Sequence, residues 1–284
     1  GGLMNTNIGN VMGFQVAGIA NVTKGSSDGI ITAGIANVVQ DSSRALMAAG
    51  IANVIGGGAY GIYAAGISNT INGNVTGILA AGVSNINGGN LIGGQFGLIN
   101  MAKDITGAQF GFINIANSYK RGVPVGFISF VREGYHALEF SAEESIYTNL
   151  KFKLGVEHFY NIFKVGFTAG NGSNLLTYGY GVGSMVSLGE RARISLDLSA
   201  NYLLRPNTNP ELELLNKADL AFRFKLGEHF DVFAGPSVNV YVTENNLDNA
   251  AFTPPYTLFQ DNWWNGNGST SIWMGGQAGI AVNF

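Results

Sequence analysis

Two patterns of apolar and polar positions divide the chain near residue 131. Over residues 11–131 one short unit recurs. Ala17-Gly18-Ile19-Ala20-Asn21 returns as Ala33–Asn37, Ala49–Asn53, Ala65-Gly66-Ile67-Ser68-Asn69 and Ala81-Gly82-Val83-Ser84-Asn85, with central glycines 16 residues apart. Degenerate copies follow at Phe96-Gly97-Leu98-Ile99-Asn100, Phe110-Gly111-Phe112-Ile113-Asn114 and Val125-Gly126-Phe127-Ile128-Ser129, at spacings of 15, 14 and 15. A fixed period repeated eight times marks a repeat architecture. Each unit predicts a strand of about ten residues closed by a polar Gly/Ser/Asn/Asp turn. Helix is disfavoured, because a central glycine costs about 1 kcal/mol per unit relative to alanine.

Residues 132–284 lack the repeat and alternate with period two. Ala192, Ile194, Leu196, Leu198, Ala200 and Tyr202 oppose Arg191, Arg193, Ser195, Asp197, Ser199 and Asn201. Ala218, Leu220, Phe222, Phe224 and Leu226 oppose Lys217, Asp219, Ala221, Arg223 and Lys225. Such alternation means a sheet with one apolar face. These strands run 10 to 14 residues, against a globular norm of about five or six. A bilayer-crossing strand needs about 9 to 11. The chain ends on Ile280-Ala281-Val282-Asn283-Phe284, which resembles the C-terminal insertion signal of outer-membrane barrels.

The expected fold is therefore all-β: one antiparallel transmembrane barrel over 1–284 with about 16 strands, eight from the repeat half 11–131 and eight from 132–284. The alternative is an N-terminal β-solenoid, with the recurrent asparagines stacked as an amide ladder, followed by an eight-stranded barrel. Strand length favours the first. So does the all-apolar run Gly77–Val83, which offers a solenoid no polar outer face. With Phe284 placed on the periplasmic side, 205–212 and 244–270 become external loops, and the short links at 189–191 and 227–229 become internal turns. Long-outside and short-inside is the expected asymmetry. No signal peptide is visible in Gly1-Gly2-Leu3-Met4-Asn5, so a processed or truncated start is expected, with an upstream domain in the periplasm.

Composition agrees with this picture. Charged residues are only 12% and glycine is 42 of 284, where soluble domains carry roughly 25% charge. Residues 1–118 hold only Lys24, Asp28, Asp41, Arg44, Lys103 and Asp104. A net charge of −3 without basic clusters argues against nucleic acid. The absence of cysteine removes thiolate chemistry and disulfides. His136, His158 and His229 have no metal-ligand spacing, and no nucleophile motif is present. Neither catalysis, a metal nor a cofactor is expected. Gly179-Tyr180-Gly181-Val182-Gly183 lies in an alternating strand with no following helix, so it reads as glycines facing a crowded interior rather than a phosphate loop.

Two sets of candidate site residues remain. Lys151, Lys153, Glu157, Arg191, Arg193, Asp197, Asp219, Arg223 and Lys225 are expected to face the lumen, as a salt-bridge network or as pore lining. Pro254, Pro255, Tyr256, Phe259, Trp263 and Trp264 lie in the 27-residue connection 244–270. That length marks a functional loop, folding over the mouth or docking a partner through its aromatic residues.

The units Gly13-Phe14-Gln15-Val16-Ala17-Gly18-Ile19-Ala20-Asn21, Gly94-Gln95-Phe96-Gly97-Leu98-Ile99-Asn100 and Ala108-Gln109-Phe110-Gly111-Phe112-Ile113-Asn114 resemble those of the surface-repeat family of Gram-negative outer-membrane proteins. Residues 134–163 and Phe233-Ala234-Gly235-Pro236 resemble the tail that follows such repeats. The resemblance implies outer-membrane location and, in related chains, a preceding secretin/TonB-type or carboxypeptidase-regulatory-like domain. It carries no activity. The expected function is a non-enzymatic accessory or scaffold subunit in contact with outer-membrane lipid and with protein partners in the outer membrane or periplasm. A diffusion pore and a surface adhesin are the alternatives.

Overall fold

The computed structural model of the chain describes residues 2–169, 174–205, 212–244, 250, 252–263 and 268–284. Among them every regular element is a strand. Two compact units are present, residues 1–134 and Tyr135–Phe284.

The first unit begins with β1 (Met4–Asn7), β2 (Val11–Ala17), β3 (Ala20–Thr23), β4 (Ser27–Ala33), β5 (Ala36–Val39), β6 (Ser43–Ala49), β7 (Ala52–Ile55) and β8 (Ala59–Ala65). It continues with β9 (Ser68–Ile71), β10 (Val75–Ala81), β11 (Ser84–Asn87), β12 (Leu91–Phe96), β13 (Ile99–Phe110), β14 (Ile113–Val125) and β15 (Ile128–Val131). Its strand pairs are parallel and offset by one repeat, as in Asn21 with Asn37 and Gly61 with Gly77. A parallel ladder at a one-repeat offset is a solenoid. The antiparallel repeat strands expected above are corrected, and with them the single 16-strand barrel. The architecture is that of the alternative.

Each early repeat also holds two strands rather than one. A seven-residue strand runs to a Gly-Ile corner, and a four-residue strand returns to the polar turn, as in β4, Gly34-Ile35 and β5. The corner glycines have a steric cause: a Cβ on Gly50 would overlap the Gly34 carbonyl oxygen, and one on Gly66 would overlap that of Gly50. Gly66→Ala is therefore expected to force the coils apart and lose about 1–3 kcal/mol, the usual range for overpacking. The check is a denaturant midpoint, and an unchanged midpoint would show that the corner accepts a side chain.

Between the two columns of strands lies a thin core. Ile31, Met47, Tyr63 and Leu79 stack in register and are fully buried. Beside them runs an amide ladder. From Asn5 to Asn100 each asparagine Nδ2 donates to the next asparagine Oδ1 and to a carbonyl of the neighbouring coil, for example Asn37 to Asn53 Oδ1 at 2.9 Å and to Ala48 O at 2.8 Å. Both amide hydrogens and the carbonyl are thus satisfied without water.

The second unit is a closed antiparallel barrel of β16 (Tyr135–Glu143), β17 (Thr148–Val156), β18 (Phe159–Ala169), β19 (Asn174–Ser187), β20 (Ala192–Leu204), β21 (Glu213–Lys225), β22 (Phe230–Thr243) and β24 (Gly268–Asn283). Closure comes from β24, which pairs with both β22 and β16. The eight strands expected after residue 131 are all present, apart from shifts at their ends. A ninth, β23 (Phe259–Trp263), lies within the long connection and pairs with the first part of β24.

Alternation sorts the side chains by charge. Every Asp, Glu, Lys and Arg in the eight barrel strands occupies an inward position, and outward positions carry residues such as Phe152, Leu196, Phe222 and Ile280. Buried charge inside and exposed apolar surface outside invert the pattern of a water-soluble domain.

Candidate functional site

The site begins with the inward charges, because an eight-stranded barrel leaves only enough room for side chains to fill it. One cluster centres on Glu143 of β16. Its carboxylate receives Lys151 at 2.9 Å, Lys164 at 3.0 Å and Lys217 at 2.8 Å, from β17, β18 and β21. Asp219 lies 3.8 Å from Lys151, and Gln277 Oε1 accepts from the same ammonium at 2.8 Å. A second cluster centres on Glu139, which pairs with Lys153 at 3.0 Å and Arg223 at 2.6 Å. Lys153 also reaches Asp197 at 2.6 Å, and Tyr160 donates to the same carboxylate at 2.5 Å. Nearer the short turns, Arg193 bridges Asp231 at 3.1 Å and Glu157 at 3.2 Å. These pairs tie opposite walls together, so the barrel is cross-braced by ions.

Apolar clusters lie at other levels of the interior. Tyr135, Ala137, Tyr160, Ile162 and Met185 form one. Another, towards the long connections, gathers Ile146, Leu175, Leu203, Leu215, Tyr241 and Trp273 around Phe252 of the long connection. The Phe252 ring meets Tyr241 edge-on at 5.9 Å and Trp273 at 6.0 Å. The mouth is therefore filled from within the chain.

Of the expected lumen residues, Lys151, Lys153, Arg193, Asp197, Asp219 and Arg223 come together as buried ion pairs. Glu157 sits half-buried in a turn, pairing with Arg193. Arg191 is exposed and Lys225 half-buried, both beside short turns and outside the network. Sequence reasoning missed Glu139, Glu143, Lys164, Lys217 and Asp231. The signal was available for Glu139, Lys164 and Asp231, which alternate with apolar neighbours as in Leu138-Glu139-Phe140 and Phe163-Lys164-Val165, and Lys217 already stood on the polar face of its strand; Glu143, followed by Glu144, gave a weaker one. The glycine run of β19 behaves as expected: a Cβ on Gly183 would overlap the Tyr160 ring and Asp197.

The loop candidates divide. Pro254 is buried, whereas Pro255, Tyr256 and Phe259 are exposed. Tyr256 donates its hydroxyl to the Met274 carbonyl. Trp263 Nε1 donates to Thr270 Oγ1 at 3.1 Å, which turns this indole back onto the wall. Trp264 lies outside the described residues. Phe252, the residue that enters the barrel, was not among the candidates. His136 stacks on Phe284, and His158 and His229 contact the carbonyls of Met185 and Asn283.

Comparison with known proteins adds no assignment: no protein family, curated protein or solved structure matches this chain.

Proposed function

We propose that the chain is a non-enzymatic outer-membrane β-barrel of a Gram-negative bacterium, serving as an accessory or scaffold subunit that holds protein partners of the outer membrane or periplasm. The observation that carries the reading is the sorting of charge in the barrel. A wall whose outward positions carry no Asp, Glu, Lys or Arg among the described residues suits lipid, where a charge at the midplane costs about 2–4 kcal/mol. Exposed Phe140, Phe152, Leu196 and Phe222 suit it for the same reason. The likeness of the repeats to surface-repeat outer-membrane proteins belongs to the same proposal.

The packed interior supports a scaffold over a diffusion pore. Ion pairs brace the middle, and Phe252 fills one end. The docking surface in this reading is the exposed part of the long connection, with Leu258 64% and Phe259 56% exposed.

Affinity purification from native membranes tests it. A stoichiometric partner is expected with the native chain and should be lost from the Leu258→Asp/Phe259→Asp variant while the barrel stays inserted. Absence of any partner, with stable conductance steps in planar bilayers, would replace the scaffold with the pore.

A further inference from the structure

The solenoid has its own division between charged and apolar surface. Lys24, Asp41, Lys103 and Asp104 lie at the polar-turn edge, Lys120 sits at a bulge beside it, and Asp28, Arg44 and Arg121 share the outward strand position next to it. Backbone stacking places these turns above one another, as in Lys24 on Asn7 and Lys103 on Gly89. Arg132 and Glu133 continue the same edge, stacked on Ala116 and Asn117.

The opposite edge is the Gly-Ile corner. Its row runs through Ile19, Ile35, Ile51, Ile67, Val83, Leu98, Phe112 and Phe127, each 40% to 56% exposed. Eight corner residues at a spacing of about 4.8 Å make a ridge about 34 Å long. Beyond the polar edge, outward positions on both strand columns hold only Gly, Ala, Ser, Thr, Tyr and larger apolar residues among the described residues. Ile30, Leu46, Ile62 and Ile78 form a second exposed apolar row beside the corner.

We infer that this corner edge is seated in the lipid surface, with the charged edge facing water. The inference rests on the outer-membrane reading of the barrel. A protein interface ordinarily rings its apolar centre with polar, hydrogen-bonding groups, whereas the side chains flanking this ridge are mostly Ala and larger apolar residues, and the polar Ser68 and Ser84 hydrogen-bond to each other. The backbone offers little for strand addition along it, because its N–H and C=O groups are spent on neighbouring coils, as in Ile35 to Ile19 and Ile51 to Ile35. An apolar face opposite a charged one is the pattern of elements that lie in the membrane interface. Only Arg132, Glu133 and Gly134 separate β15 from β16, so a bilayer around the barrel is within the chain's reach of the repeat.

The native chain contains no cysteine, so single cysteines can be labelled cleanly in the full chain reconstituted into phospholipid vesicles. Ile35→Cys and Ile67→Cys report on the corner, Asp41→Cys on the polar edge and Leu196→Cys on the barrel wall, each carrying an environment-sensitive dye. Doxyl-labelled phospholipid is then added as quencher. The expected result is a blue-shifted, quenched dye at both corner sites and at Leu196, with the dye at Asp41 unaffected. Quenching at Leu196 without quenching at either corner site overturns the inference and leaves the barrel reading intact. Quenching at the corners without Leu196 keeps the lipid contact and overturns the barrel reading. Quenching at Asp41 equal to that at the corners also overturns the inference, since the solenoid would then meet lipid without orientation.

Discussion

Glu143→Ala should prevent stable folding of the barrel. The carboxylate is buried and holds three ammonium groups, Lys151, Lys164 and Lys217, at 2.8 to 3.0 Å. Its removal leaves three cations in a closed interior with Asp219 as their nearest remaining acid, 3.8 Å from Lys151 and 4.0 Å from Lys217. Breaking a single buried ion pair from one side costs about 3–5 kcal/mol, and here one substitution breaks three. That is comparable to the whole stability of an ordinary domain, about 5–15 kcal/mol. The measurement is urea unfolding of the reconstituted barrel, read by intrinsic fluorescence. Replacing Glu143, Lys151, Lys164 and Lys217 by methionine together with Asp219→Leu, since Asp219 would otherwise lose both its lysine partners, should recover much of the loss, because an apolar core avoids the desolvation penalty. A wild-type midpoint for Glu143→Ala would mean that water reaches the cluster. Arg44→Ala is the contrast, because the Arg44–Asp28 pair is solvent-exposed and surface pairs contribute little.

Asn69→Leu should split the solenoid at its middle. Asn69 accepts from Asn53 Nδ2 at 2.9 Å, donates to Asn85 Oδ1 at 2.9 Å and donates to Ala80 O at 2.9 Å. Leucine would orphan the Asn53 donor, the Asn85 acceptor and the Ala80 carbonyl in a dry interior. Each unsatisfied buried group costs about 1–3 kcal/mol, so a loss of several kcal/mol is expected. Because each coil touches only its neighbours, the damage should stay local. Hydrogen exchange should accelerate in the coils on either side of residue 69 and leave the barrel strands protected. Asn5→Leu at the outer end removes bonds to Val16 O and Asn21 Oδ1 at a partly exposed site, and its cost should be smaller. Equal losses at positions 5 and 69 would refute the ladder as a cooperative element.

These two sites differ in how far the sequence disclosed them. The alternation of Arg193, Asp197, Asp219 and Arg223 with apolar neighbours announced an inward charged face, because a strand has a period of two whatever it pairs with. It did not announce Glu143 as the hub. That depends on β17, β18 and β21 bringing Lys151, Lys164 and Lys217 to one height in the barrel, a matter of register. The long connection was legible as special from its length. Which of its aromatic rings enters the barrel was not, since Phe252 and Phe259 are equally apolar on paper and only the barrel mouth distinguishes them.

The repeat half shows the sharper division. Its 16-residue period and its strand character follow from local chemistry, because glycine at the centre of each unit opposes helix. Strand direction does not follow, because a parallel coil and an antiparallel span can share the same apolar positions. The seven- and four-residue strands with their corner also add up to 13 residues, enough for one membrane-crossing strand of about 9 to 11, which hides the Gly-Ile bend. Tertiary structure decided the matter by setting each coil on the one before it. In that arrangement the asparagines form a continuous ladder and each corner glycine lies against a neighbour's carbonyl, contacts that exist only between repeats.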